Sequence, residues 1–261
     1  AEATKVTIYD GDDPDLPMWM VFNVSNSTWF KLHSSGSQCS CISALNATLC
    51  AGGNGTGIRL AVVDFIKDNQ YLTEAGYTYY NNGIETRNDT TTFSNDGGSK
   101  SIVNNVINDV AMTVLPNAPI DEISGLPVPT IAVATGGGIS VIKDDGNVVD
   151  MYPTGSSVTP ANEIYFTESN NIAFTHNAYW VYHYKIPSTD TSATYWNQLS
   201  GFIGRFTDNT RVWDTNYEGI PINVGSSGIT NFLEDRAIGH TNGLDIIDIN
   251  EGGLLGNGMH A

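Results

Sequence analysis

"TIAVATGGGISVIKDDGNVVDMYP", residues 130–153, places three consecutive glycines after an apolar run. Gly136, Gly137 and Gly138 have two readings: a cradle for a phosphate, or a reversal of the chain. A phosphate cradle needs glycines that lead into a helix, whose free N–H groups and dipole face the anion. Here they lead into Ile139, Val141 and Ile142, then Asp144-Asp145-Gly146, then Val148 and Val149. Branched residues favour strands and Asp-Gly favours the tight turn between them, so the stretch predicts a hairpin. No Gly-Lys-Ser/Thr accompanies the glycines. They turn the chain.

The same order recurs along the sequence: an apolar strand, a polar turn, a second strand ending in Gly or Asn, then a third strand ending in Asp. Third strands are expected at Leu60–Phe65, Ile139–Lys143, Tyr179–Tyr184 and Leu244–Ile249. The linkers before them, "GGNGTGI", "TGGGI", "THNAY" and "HTNGL", hold residues that suit tight reversals. The opening "PMWMVFNVSNSTWFKL" reads as the outer two strands of a further unit. Helical periodicity is nearly absent. The contenders are residues 99–112, which read as loop plus strand, and residues 228–239. The expected fold is therefore all-β, a β-propeller of about five irregular four-stranded blades, with residues 1–261 as one domain. One blade cannot bury both its faces alone, and packing blades round an axis covers them. A β-sandwich is the alternative, although it gives no reason for the repeated order.

Composition agrees with strands and turns. Hydrophobic residues make up 40% of the chain and charged residues 15%, so Asn, Thr, Ser and Gly supply the polar surface. Eleven Lys and Arg against 28 Asp and Glu give a net charge of −17. Phosphate neutralisation needs a basic stripe, and Arg59, Arg87, Arg205, Arg211 and Arg236 are scattered, so no nucleic acid is expected as a partner. The same field disfavours anionic membranes, and no stretch approaches a membrane span. The N-terminus lacks the basic start and apolar core of a signal peptide. The sequence reads as a processed product or a segment of a longer chain.

Cys39, Cys41 and Cys50 fall within "CSCISALNATLC", at spacings that match neither a zinc ribbon nor a redox pair. If Ile42–Leu45 and Thr48–Gly52 form a hairpin, Cys50 lies near Ser43 and diagonal to Cys41. One disulfide or three buried thiols then satisfy the geometry.

From Leu60 to Met151, "LAVVDFIKD" and "NDVAMTVLPNAPIDEISGLPVPTIAVATGGGISVIKDDGNVVD", with the later "NGLDIIDI", resemble blade sequences of large virion proteins of tailed, mainly marine, bacteriophages. The pattern covers most of residues 42–250, and the likeness is close over 106–151. The resemblance implies a tail- or fibre-associated polypeptide, at a virion or extracellular location. Its implied partners are other virion subunits, a second copy of itself, or a host-surface glycan. The acidic opening "YDGDDPDLP" and the cysteine-rich hairpin depart from that pattern, which leaves a cell-surface protein built of the same blade as another origin.

No catalytic constellation stands out. "SNDGGSKS" at 94–101 matches a sialidase Asp-box at Ser94, Asp96 and Gly98, but Lys100 and Ser101 stand where Thr and Trp belong. Asp64, Asp144 and Asp248 follow third strands and read as polar strand ends capping turns. Among His33, His176, His183, His240 and His260, no Gly-x-Ser-x-Gly elbow provides a nucleophile. His176 and His240 read as turn residues tolerant of positive φ. Asp10, Asp12, Asp13 and Asp15 could offer oxygens to Ca²⁺, yet Leu16 follows where a glycine would serve and no Glu closes the loop. Trp180, Tyr182 and Tyr184 alternate as a buried strand face would, while the loop from Tyr77 through Tyr79 to Tyr80, with Tyr71 nearby, is the candidate exposed contact. Asn23, Asn26, Asn46, Asn54 and Asn88 begin glycosylation sequons. The expected function is a non-enzymatic virion scaffold or host-attachment module, without catalytic residues, cofactor or metal beyond that weak calcium motif. The alternatives are a secreted glycan-active hydrolase and a cell-surface adhesin or lectin.

Overall fold

The computed structural model describes residues 5–23, 38–54, 60–73, 78–80, 84–86, 94–95, 101–155, 160–167, 169–176, 180–207, 229–232, 235–240, 243–248 and 253–257. Among them the chain is all-β, with short 3₁₀ turns at Ile84–Thr86 and Trp196–Gln198. It divides into two compact units: Ala1–Ile131 with Ile142–Val148, and Ala132–Val141 with Val149–Ala261.

In the first unit, β1 (Lys5–Tyr9) and β2 (Met18–Asn23) form an antiparallel pair. β1 is thus a partner of the "PMWMVFN" strand that the sequence did not suggest; the second strand expected from the residues after it lies outside the described residues, at 24–37. The reason is matched alternation: Val6 lies opposite Phe22, and both are buried.

A six-stranded antiparallel sheet follows in chain order: β3 (Gln38–Leu45), β4 (Thr48–Asn54), β5 (Ala61–Asp64), β6 (Asn69–Leu72), β7 (Thr78–Tyr80) and β8 (Ser94–Asn95). Ser43 pairs with Cys50 and Cys41 with Gly52, the register expected from the sequence. Leu49, Cys50 and Ala51 on β4 and Ala61, Val62 and Val63 on β5 are all buried, which explains these unbroken apolar runs in interior strands. Val6, Phe22, Leu49, Ala51, Val63 and Leu72 form the core of this unit. β9 (Ile107–Thr113) follows the loop of residues 101–106, as the loop-plus-strand reading expects. Ile107 fits the notch left by Gly52, where any Cβ would overlap its side chain.

A five-stranded sheet has the order β16-β12-β11-β10-β9, built from β10 (Thr130–Thr135), β11 (Gly138–Ile142), β12 (Val148–Pro153) and, later in the chain, β16 (Thr191–Ala193). Gly136 and Gly137 make the β10–β11 turn and Asp144-Asp145-Gly146 the β11–β12 turn, so the glycines reverse the chain. Gly138 is needed for another reason. A Cβ there would lie 2.5 Å from the Met151 carbonyl oxygen.

In the second unit, β13 (Ala161–Phe166), β14 (Ile172–His176), β15 (Trp180–Tyr184) and β17 (Phe202–Thr207) form a four-stranded antiparallel meander. Between β15 and β17 the chain leaves this sheet, and β16 pairs in parallel with β12, Met151 opposite Thr191. It returns through the Trp196 turn, where the Tyr184 hydroxyl donates to the Trp196 carbonyl. Phe174 stacks on Tyr182 at 5.5 Å and meets Trp196 at 4.7 Å. Tyr182 and Tyr184 are therefore core, as their alternation predicts; the Trp180 side chain is outside the described set. A second four-stranded meander comprises β18 (Ile229–Phe232), β19 (Asp235–His240), β20 (Gly243–Asp248) and β21 (Gly253–Asn257).

Third strands fall at β5, β11, β15 and β20, within two residues of expectation. Two sheets have four strands as the repeat predicts. The others have six, five and two.

Candidate functional site

The first unit carries the same tripeptide twice, Ile66-Lys67-Asp68 in the turn after β5 and Ile142-Lys143-Asp144 running from the last residue of β11 into its turn. Both contribute to the wall of one cleft of about 390 Å³. The β5–β6 turn is held by Asp64, whose Oδ1 accepts the backbone N–H groups of Ile66 (3.0 Å) and Lys67 (2.9 Å). Asp68 adopts a positive φ of 50° and accepts the Ile84 N–H at 2.7 Å, which ties the turn to the chain beyond β7. In the β11–β12 turn, Asp145 accepts both the backbone and side-chain N–H of Asn147 at 2.8 Å. Both turns are thus set by short side-chain-to-backbone bonds of the kind Asp makes readily.

The Lys67 ammonium sits between Asp64 Oδ2 at 3.0 Å and Asp121 Oδ2 at 3.1 Å. Partial desolvation alone would lower its pKa, but hydrogen bonds and charge from the two carboxylates outweigh this and hold it above its ordinary value. Asp121 is drawn down to about 2, first by the Ser124 backbone N–H and then by Lys67. Asn147 holds Asp145 below the ordinary carboxylate range, through its backbone and then its side-chain N–H. Val62, Ile131 and Ile142, all buried, form an apolar floor. Asn69, half-buried Tyr71, Asp144 and Asp145 add polar groups to the lining. Beyond Lys67, a smaller cleft continues past Ile66, Asp121 and Leu126.

The structure therefore brings together Asp64 and Asp144, which spacing alone left as separate strand ends. Asp248 closes β20 in the other unit. Lys67, Asp121 and the paired tripeptide are absent from the sequence reading, although the repeated Ile-Lys-Asp was there to be seen.

Other candidates resolve differently. His176 and His240 are the last residues of β14 and β19, in ladder register with Trp180 and Gly243, so neither is a turn residue of positive φ. Pairing in the ladder requires extended backbone, and this overrides the turn chemistry of their neighbours. His176 is buried, and neither ring nitrogen finds a hydrogen-bond partner among the described residues. Its pKa falls to about 4 by desolvation. His183 lies buried on β15; His33 and His260 are outside the described residues.

Asp10 and Asp13 accept the N–H groups of Asp12 and Asp15, and no group of three or more His, Cys, Asp or Glu is placed for a metal among the described residues. All three cysteines are free; burial raises the Cys41 thiol to about 12 and Cys50 further, and raises Cys39 as well.

Thr78–Tyr80 form strand β7, with Tyr79 opposite Tyr71, instead of a loop; Tyr77 and the Tyr79 and Tyr80 side chains, on which the expected exposure rests, lie outside the described residues. Asn46 donates its Nδ2 to the Pro127 carbonyl at 2.8 Å, which engages the atom a glycan would need. Asn23 and Asn54 end β2 and β4, while Asn26 and Asn88 lie outside the described residues. Ser94 lies on β8; Asp96, Gly98, Lys100, Arg59, Arg87 and Arg211 are outside the described set, and Arg205 and Arg236 lie on β17 and β19. No helix among the described residues is long and apolar enough to cross a membrane.

No protein-family model matches the chain, and no curated protein does. Among solved structures, the extracellular domain of BT4673 from B. thetaiotaomicron is similar at 14% identity and a TM-score of 0.38, covering 100% of this chain and 33% of that one. Apo AztD from Citrobacter koseri is similar at 11% identity and a TM-score of 0.39, covering 98% of this chain and 79% of that one. The chain thus spans about a third of the length of the BT4673 domain.

Proposed function

We infer that this chain is a non-enzymatic β-propeller module of a virion tail or fibre, a stiff surface for docking neighbouring subunits or a host. The observation that supports a propeller is the order of the sheets. Each four-stranded meander uses neighbouring stretches of sequence, and interior strands such as β14 are buried on both faces. Sheets of that kind need cover on two sides, and arrangement round a common axis provides it. Location in a virion rests on the likeness of residues 106–151 to phage blade sequences.

The docking role is supported by the cleft. Its Lys67 is held between two carboxylates, and its turns are fixed by internal Asp hydrogen bonds, so the wall is shaped before contact. Such a surface suits recognition more than turnover.

Antibodies raised against the purified chain should label tails or fibres of intact phage particles in electron micrographs. Labelling confined to cell surfaces or culture fluid would overturn the virion reading. Release of reducing ends from surface polysaccharide by the pure protein would overturn the non-enzymatic one. An experimental density map of two stacked layers without rotational repetition would remove the propeller.

A further inference from the structure

We propose that the cleft between the two Ile-Lys-Asp turns binds a neutral saccharide of one or two pyranose rings. A volume of about 390 Å³ lies within the range of small-molecule sites. The lining is amphipathic in the sense a sugar is. Val62, Ile131 and Ile142 offer an apolar floor, and the carboxylates of Asp144 and Asp145, the Asn69 amide and the Tyr71 phenol offer polar groups. A pyranose presents C–H groups on its face and hydroxyls round its edge, so one orientation satisfies both. Carboxylates accept from hydroxyls strongly, and an amide both donates and accepts.

Charge argues against anionic ligands. The Lys67 ammonium is matched on two sides by Asp64 and Asp121, and Lys143 acts on Asp145. The carboxylates lining the cleft outnumber the lysines, Asp64, Asp144 and Asp145 against Lys67 and Lys143, within a chain of net charge −17. A phosphate, sulfate or uronate would meet repulsion without an unmatched cation. The turns are also pre-shaped by their internal Asp bonds, which lowers the ordering cost of binding.

This inference rests on reading the cleft as a surface that binds instead of reacting. It fails separately from the virion location, because tail labelling without sugar binding removes the inference alone.

The test titrates the full chain with cellobiose, lactose, N,N′-diacetylchitobiose and mannobiose, followed by calorimetry and by amide chemical shifts. At least one sugar should bind saturably and shift the amides of residues 65–68 and 144–147. Asp144→Ala and Tyr71→Ala should each weaken binding about tenfold or more, while Tyr195→Ala, in the second unit, leaves it unchanged. The wild-type shift map carries the test if a variant fails to fold. No binding by any of the four sugars overturns the proposal. So does binding that shifts other amides or survives both cleft substitutions, and so does binding of sialyllactose or inorganic phosphate at the cleft in place of neutral sugars.

Discussion

Lys67 shows how little a visible ion pair weighs without its surroundings. The side chain is about half exposed, so each of its bonds to Asp64 and Asp121 contributes about 0–1 kcal/mol. Lys67→Met should destabilise the first unit by about 1 kcal/mol in urea unfolding, and added salt should shrink the difference. His176 is the opposite case, a neutral ring held among Tyr182 and Trp196 with no polar partner among the described residues. Its folded pKa of about 4 lies below the ordinary 6.5, so the unfolded chain takes up the proton first as pH falls. Stability from this residue is complete above about pH 6.5, declines towards pH 4 and is lost below it, up to about 3 kcal/mol in all. Unfolding midpoints measured across that window should slope for the wild type and flatten for His176→Phe. Sequence reading made this histidine a turn residue, because nothing in its neighbours shows that the strand runs on to include it.

Elements were legible where local chemistry and tertiary demand agree. The Asp144-Asp145-Gly146 turn, the Ser43–Cys50 register and the four third strands all follow from alternation and turn residues a few positions apart. Elements set by distant partners were hidden. β16 is a three-residue strand with no pattern of its own, placed by parallel pairing to β12. The notch at Gly52 is a contact of the same distant kind. Gly52→Val should cost about 1–3 kcal/mol, and Ile107→Ala in the same chain should recover part of it, as a double-mutant cycle would reveal. Trp196→Ala should cost about 3–5 kcal/mol by chemical denaturation, since it removes a buried ring meeting Phe174, Tyr182 and His176.

For the whole molecule, the all-β class could be read from Asn-, Gly- and Thr-rich composition with few charges, whereas the cleft could not. Asp64 and Asp144 sit on hairpins far apart in sequence, and only the folded first unit sets them on one wall. A net charge of −17 also means that compaction works against self-repulsion. Melting temperature should therefore rise with sodium chloride over the range where Debye screening becomes effective, and level off beyond it.

The departure of β16 from its own meander has a dynamic consequence. β15 and β17 cannot swing away while the intervening segment stays zipped to β12, because Thr154 and Gly155 donate their N–H groups to Ala193 and Thr194. Slow hydrogen exchange at these two amides should track that of the β15 amides, so that both exchange through one shared opening event.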